Sequence, residues 1–381
     1  MQYVPFGKLG FNVSRLGFGT MRLPTIEGEG GTPIIFRQQA VAMIRRAIDQ
    51  GVNYVDTAYG YHNGESETVT GIALKGGYRE RTKLATKLPQ WFVKEHKDMD
   101  RLLDEQLKKL DVQYLDFYLL HALHRDAFER LRSLDYTSFL KRCVGDGRVK
   151  HVGFSFHDDA QTFKDIIDDY SWDMAQIQFN YVDDDAQATI DGLYYAGEKG
   201  IPVVVMEPLR GGTLANPPKE IAEKISHNRF GAGPVELAFR YVSHFPQVAT
   251  VLSGMSTAEQ VEDNLRIFEN VPVGGLTEQD LQFISSIKAA YLDRTAIGCT
   301  ACNYCQPCPQ GVNIPGIFDL FNRSYRFGDD VILKYEYQDF CTKEQDASRC
   351  VECGQCEDSC PQKLPIMKTL KQIRAQAEQH K

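Results

Sequence analysis

From residue 15 to residue 268 the chain alternates short apolar runs with longer stretches whose apolar residues recur at helical spacing, and it does so eight times. The runs at 15–19, 52–55, 83–86, 115–120, 149–154, 174–179, 203–206 and 248–252 read as strands. Between and after them, 37–50, 65–74, 97–110, 127–145, 160–169, 187–199, 234–244 and 257–268 read as helices, the first stopped by Gly51. Eight strand-helix units in roughly 250 residues have the rhythm of a (β/α)8 TIM barrel. An open doubly wound sheet has the same alternation, but no GxGxxG follows the first strand. The expectation is therefore an α/β barrel, preceded by a hairpin over residues 3–14 and followed by one more helix over 277–292.

Parallel barrels place their ligands at the carboxyl ends of the strands, so the residues found there carry the functional reading. The second run ends in Asp56, and Tyr61 follows five residues later. The third ends in Thr86-Lys87, and the fourth runs straight into His121. Asp56 alone reads as a helix N-cap, Lys87 alone as a solvated charge and His121 alone as a core histidine. Together they bring a carboxylate, a phenol, an ammonium and an imidazole to one mouth, a set suited to carbonyl reduction. An alkoxide forming under hydride attack must be protonated, and a phenol does this more readily when a cation favours its ionised form. Lys87 would be that cation, held by Asp56, with His121 orienting the substrate oxygen. His62, His124 and His157 share this face and read as loop residues, and Cys143 as a small buried apolar side chain.

The DTAYGY, TK and LLH segments resemble those of the aldo-keto reductases, as do GFNVSRLGFGT near the start and AEQVEDNL near residue 260. The resemblance spans about residues 3–292. It implies a catalytic tetrad of Asp56, Tyr61 as proton donor, Lys87 and His121, and an extended nicotinamide cofactor, NAD(H) or NADP(H), across the mouth. Gly19 and Thr20 would lie near the nicotinamide, Ser155 and Gln178 would bind its carboxamide, and Asn264 would contact the adenine. Met206 and Leu209 stand where the family packs the nicotinamide ring, Met206 replacing the usual aromatic residue. Phe156 follows Ser155 where the family often has Asn. Gly254, Met255 and Gln260 occupy positions where relatives that prefer NADP place cations against the 2′-phosphate. This points to NADH, with Arg210 and Arg266 as the cations able to substitute.

The composition changes abruptly near residue 294, which sets the expected domains at 1–293 and 294–381. Of ten cysteines, eight fall in two tight groups beyond residue 298, and Cys341 lies between the groups. Cys299, Cys302 and Cys305 are followed by Cys308; Cys350, Cys353 and Cys356 are followed by Cys360 and Pro361. The second run, C-x2-C-x2-C-x3-C-P, is the spacing of [4Fe-4S] proteins with two clusters, in which the fourth cysteine serves the other cluster. Zinc sites pair two Cys-x2-4-Cys knuckles around one ion and fit less well. One cluster would take Cys299, Cys302, Cys305 and Cys360, the other Cys350, Cys353, Cys356 and Cys308. Cys308 departs from the pattern by one residue. The segment between the runs has helical stretches, which predicts a small α-helical ferredoxin-like iron-sulfur domain with a helical tail over 363–379.

Apolar residues make up 43% of the chain and charged ones 25%, as in ordinary globular proteins. A net charge of −8 with no basic patch argues against nucleic acid and anionic membranes as partners. The first ten residues lack a signal-peptide pattern, no window approaches a membrane span, and a cytoplasmic location is expected. The expected substrate is a small carbonyl compound or the corresponding alcohol. Hydride transfer moves two electrons and a cluster takes one, so the clusters would exchange electrons with an external partner, serve a further cofactor or support the fold. A different reading makes the barrel a non-catalytic nicotinamide sensor with the clusters as its redox output.

Overall fold

The computed structural model describes residues 1–28, 32–299, 301–360 and 362–379; Pro361 of the second cysteine motif lies outside them. The chain divides into two compact units, one of residues Met1–Arg210 with Glu236–Glu278, the other of Gly211–Val235 with Gln279–Lys381.

The first unit is a closed barrel of eight parallel strands: Leu16–Gly19, Tyr54–Asp56, Lys83–Leu88, Leu115–Leu123, Val149–Phe156, Met174–Gln178, Val203–Met206 and Val248–Gly254. The last pairs with the first, Gly254 opposite Gly19, so the sheet has no free edge. Burial on both faces explains why these strands read as continuous apolar runs. The N-terminal hairpin pairs Tyr3–Pro5 with Asn12–Ser14. Its Phe6 packs 4.9 Å from the Phe117 ring and 6.2 Å from Tyr54, filling the end where the strands begin. That end is sealed by packing, which leaves the carboxyl ends for chemistry.

Three local features differ from the pattern reading. The stretch over 127–145 is two helices, Arg125–Ser133 and Tyr136–Gly145, because Asp135 takes φ 54° and caps the second by accepting from Ser138. An antiparallel pair, Thr25–Glu27 with Pro33–Ile35, was not foreseen. The fourth strand continues through His121 to Leu123 rather than stopping before it.

In the second unit, helices Ile314–Phe327, Asp330–Thr342 and Ile366–Gln379 share a core of Ile317, Phe318, Leu320, Leu333, Tyr337, Leu370 and Ile373. Asn313 caps the first of these helices and Gly328, at φ 63°, ends it. No helix among the described residues is long and apolar enough to cross a membrane.

Candidate active site and cysteine cavities

Asp56 is the last residue of the second strand and Lys87 the next to last of the third; they are 2% and 1% exposed. Lys87 Nζ donates to Asp56 Oδ1 at 2.6 Å, to the Thr57 carbonyl at 2.9 Å and to the Tyr61 hydroxyl at 3.4 Å. The ammonium is thus fully coordinated. Burial alone would lower its pKa, but the Asp56 carboxylate and the Tyr61 phenol hold it above the usual lysine range. Burial raises the pKa of Asp56 against the pull of Lys87.

Tyr61 opens a short turn, Tyr61–Gly64, in which His62 and Asn63 take left-handed φ values of 51° and 55°. The ring nitrogen of His62 accepts from the Leu23 amide at 3.1 Å and ties this loop to the end of the first strand's turn. The phenol departs from expectation. Its pKa lies above the ordinary tyrosine value, because burial raises it more than the neighbouring ammonium lowers it.

His121 stands edge-on to Tyr61, ring centroids 6.1 Å apart. A bulge aims it: pairing with the fifth strand breaks between Leu120 and Leu123, Ala122 takes φ 51°, and the freed Ala122 amide donates to Ser155 Oγ at 2.7 Å. Burial first, then the charge of Lys87 and the proximity of His157, hold the imidazole well below its usual pKa, so it is neutral near pH 7. Its Nδ1 is buried with no hydrogen-bond partner among the described residues.

The remaining expected residues lie at or just past strand ends, except Gln260 and Asn264, which are on the helix Ala258–Ile267. Thr20 is buried, donates to the Asp56 carbonyl at 3.0 Å and accepts from Ser66 Oγ at 2.7 Å. Gly19 ends the first strand. Ser155 accepts from Ala122 and keeps its own proton to donate. The Gln178 amide is engaged on both sides, donating to Asp183 and accepting from Gln187. Met206 closes the seventh strand with its sulfur 3.7 Å from the Gln176 amide nitrogen, and Leu209 follows half-buried. Gly254 is exposed, Gln260 accepts from the Ser256 amide, and Asn264 donates to Ser253 Oγ. Of the two alternative cations, Arg210 is held by Asp183 at 3.0 Å, and Arg266 lies 3.9 Å from Asp263 on the surface.

Trp91, whose ring lies 5.0 Å from that of His121, walls the mouth beside Phe92, and both rings are partly exposed. Nothing in the sequence marks this wall, since WF after a strand reads as a loop. His157 hydrogen-bonds Gln187 at 3.2 Å, and His124 caps helix Arg125–Ser133. Arg22 lays its aliphatic stem across Gly254, within 3.2 Å of where a Cβ would stand.

In the second unit, Cys299, Cys302, Cys305 and Cys360 line one cavity with Ile314, Pro315, Phe318, Leu364 and Ile366. Cys308, Cys350, Cys353 and Cys356 line another, of about 230 Å³, with Gln306, Gln310, Gln355 and Ser359; Cys305 and Ile314 border both. The first is much smaller, about 20 Å³. Among the described residues no three His, Cys, Asp or Glu side chains close on a single metal ion; each set of four thiols is spread around its cavity wall. That donor set fits a thiolate-ligated cluster, and Cys308, despite its irregular spacing, lines the same cavity as Cys350, Cys353 and Cys356. Cys341 is half-buried against the helical core and lines neither cavity.

Residues 15–288 match the model of the aldo/keto reductase family. The chain belongs to that family. Residues 298–365 match a 4Fe-4S dicluster domain, so this aldo/keto reductase carries two [4Fe-4S] clusters beyond its barrel. It is 26% identical over 303 residues to an L-galactose dehydrogenase of Arabidopsis thaliana, covering 74% of this chain and 92% of the relative. It is 28% identical over 275 residues to the methylglyoxal reductase YeaE of Escherichia coli, covering 66% and 87%. Among solved structures, a thermostable aldo-keto reductase, Tm1743, superposes with TM-score 0.63 at 25% identity, over 75% of this chain and all of that one. An aldo-keto reductase of Klebsiella pneumoniae in complex with NADPH superposes with TM-score 0.61 at 24% identity, over 75% and 95%. The aldo/keto reductase assignment makes the protein an oxidoreductase.

Proposed function

We propose that the barrel reduces a small carbonyl compound, or oxidises the corresponding alcohol, with a nicotinamide cofactor and the tetrad Asp56, Tyr61, Lys87 and His121. One observation carries this reading. A buried ammonium bonded to a carboxylate is also within 3.4 Å of the hydroxyl of Tyr61, beside a neutral imidazole whose Nδ1 has no partner among the described residues. A bound nicotinamide supplies the hydride. Tyr61 gives its proton to the carbonyl oxygen, and Lys87 stabilises the phenolate that remains. Asp56 keeps Lys87 charged, and His121 orients the oxygen without competing for the proton. The raised phenol pKa keeps Tyr61 protonated across the physiological range, as a proton donor requires.

Gly19, Thr20, Met206 and Leu209 would receive the nicotinamide ring, with Ser155 and Gln178 on its carboxamide. Gly254, Gln260 and Asn264 would meet the adenosine end. The names of the relatives, a carbonyl reductase and a sugar dehydrogenase, support either direction of the same chemistry. In the second unit Cys299, Cys302, Cys305 and Cys360 would hold one cluster and Cys308, Cys350, Cys353 and Cys356 the other. Each supplies one-electron transfer, for an external electron-transfer partner.

Replacing Tyr61 by Phe tests the reading. Removing the proton donor should cut kcat for carbonyl reduction by about a hundredfold or more while nucleotide binding, followed by fluorescence quenching, stays as in the parent. Turnover that survives this change would rule the tetrad out.

A further inference from the structure

Among the buried charges of the barrel outside the tetrad, Glu67 reaches toward Lys87. Glu67, on the helix Ser66–Ala73, is 0% exposed, and a buried glutamate persists only when its neighbours satisfy it. Its Oε1 accepts from Thr86 Oγ1 at 2.7 Å and from Gln106 Nε2 at 2.6 Å, while Oε2 has no hydrogen-bond partner among the described residues and lies 3.7 Å from Lys109 Nζ. Gln106 is also 0% exposed, and its two amide hydrogens serve Glu67 and, at 3.0 Å, the backbone carbonyl of Lys87. Its amide oxygen accepts from the Tyr118 hydroxyl at 2.8 Å. Two helices and two strands are thereby tied around the single residue that carries the ammonium.

This geometry is built. Gly71 allows the helices Ser66–Ala73 and His96–Leu110 to approach so closely that a Cβ there would stand 2.3 Å from the Leu110 carbonyl oxygen. Without that approach Glu67 and Gln106 would not meet. Thr86 and Lys87 are consecutive on a strand, so their side chains leave it on opposite faces. Glu67 therefore sits behind the strand and Asp56 in front. The charged groups around it are Lys109 on its own side and Lys87 with Asp56 across the strand; the neutral phenols of Tyr61 and Tyr118 adjoin Lys87 and Gln106.

We infer that Glu67 is a positioning residue for Lys87. Through Thr86 and Gln106 it fixes the end of the third strand, and as a second anion it helps Asp56 hold the ammonium charged and directed at Tyr61. Burial raises its own pKa, opposed by Thr86, Gln106, Lys109 and Lys87. The inference rests on the carbonyl-reductase reading.

A double-mutant cycle on the full chain tests it, using Glu67→Gln, Lys87→Met and the pair, assayed with NADH or NADPH and a panel of small aldehydes and ketones. Glu67→Gln should lower kcat about tenfold with KM for nucleotide little changed, yet add less than about twofold in the Lys87→Met background, since it acts through Lys87. Effects that multiply, or a kcat equal to that of the parent, overturn the inference. If Glu67→Gln does not fold, Thr86→Val, which removes one donor to the same carboxylate, takes its place in the cycle under the same two criteria. A parent enzyme inert toward every carbonyl tested would instead sink the reductase reading, and the role of Glu67 falls with it.

Discussion

His121 shows how much a side chain's surroundings change its chemistry. Its imidazole is buried beside an ammonium, so protonation is disfavoured in the folded chain and unhindered in the unfolded one. Between its ordinary value near 6.5 and the depressed folded value, the unfolded state binds the extra proton, and stability falls as pH falls. Below 6.5 the parent should lose up to about 1.4 kcal/mol per pH unit relative to a His121→Asn variant, until the folded imidazole also protonates. Urea denaturation of both proteins from pH 7 to pH 5 would measure this; parallel curves would show that His121 is not held neutral. The residue type at this strand end was legible in the sequence, but its bulge was not, because Ala122 carries no sign of a left-handed φ. The direction of the Tyr61 shift was likewise hidden. Sequence places a cation near the phenol but says nothing of how deeply water is excluded from it.

Among the elements, the strands were legible because a parallel strand buried on both faces leaves an unbroken apolar run, whereas helix breaks depend on single backbone angles. Asp135 divides one expected helix into two through a φ of 54° that Asp tolerates but does not advertise. Gln106 escaped notice for a related reason, since a polar residue within an amphipathic helix reads as surface. The approach of helices Ser66–Ala73 and His96–Leu110 gives the sharpest test at this scale. Gly71→Ala puts a methyl 2.3 Å from the Leu110 carbonyl oxygen, a backbone atom that can yield only if the helices part. The usual gain in helix propensity from Gly to Ala, about 1 kcal/mol, should be reversed into a net loss of about 1–3 kcal/mol. Chemical denaturation would register it. A variant as stable as the parent would show that the two helices can separate freely, and would weaken the case for Glu67 and Gln106 as a rigid strut.

The molecule as a whole joins a barrel, which closes its own sheet and seals one end with Phe6, to a helical unit organised very differently. In the second unit the cysteine cavities are lined by the core itself: Ile314, Phe318 and Ile366 border the first, and Ile314 and Leu370 the second. A cluster bonded to four thiolates would replace apolar packing there, so its binding free energy counts as folding free energy for that unit. The packed barrel core contains none of the eight cluster cysteines, so no such dependence is expected of it. Removal of iron by a chelator under reducing conditions should therefore abolish the cooperative unfolding of the helical unit, with loss of far-UV helical signal and rapid proteolysis between residues 299 and 360. The transition of the barrel should remain, and with it any carbonyl reductase activity. If the whole chain instead unfolds in one step when iron is removed, the clusters stabilise the barrel as well, and the two units form one cooperative structure. Scanning calorimetry before and after chelation, with activity measured on the same samples, separates these outcomes. Retained activity would also show that the hydride chemistry needs no electron from the clusters.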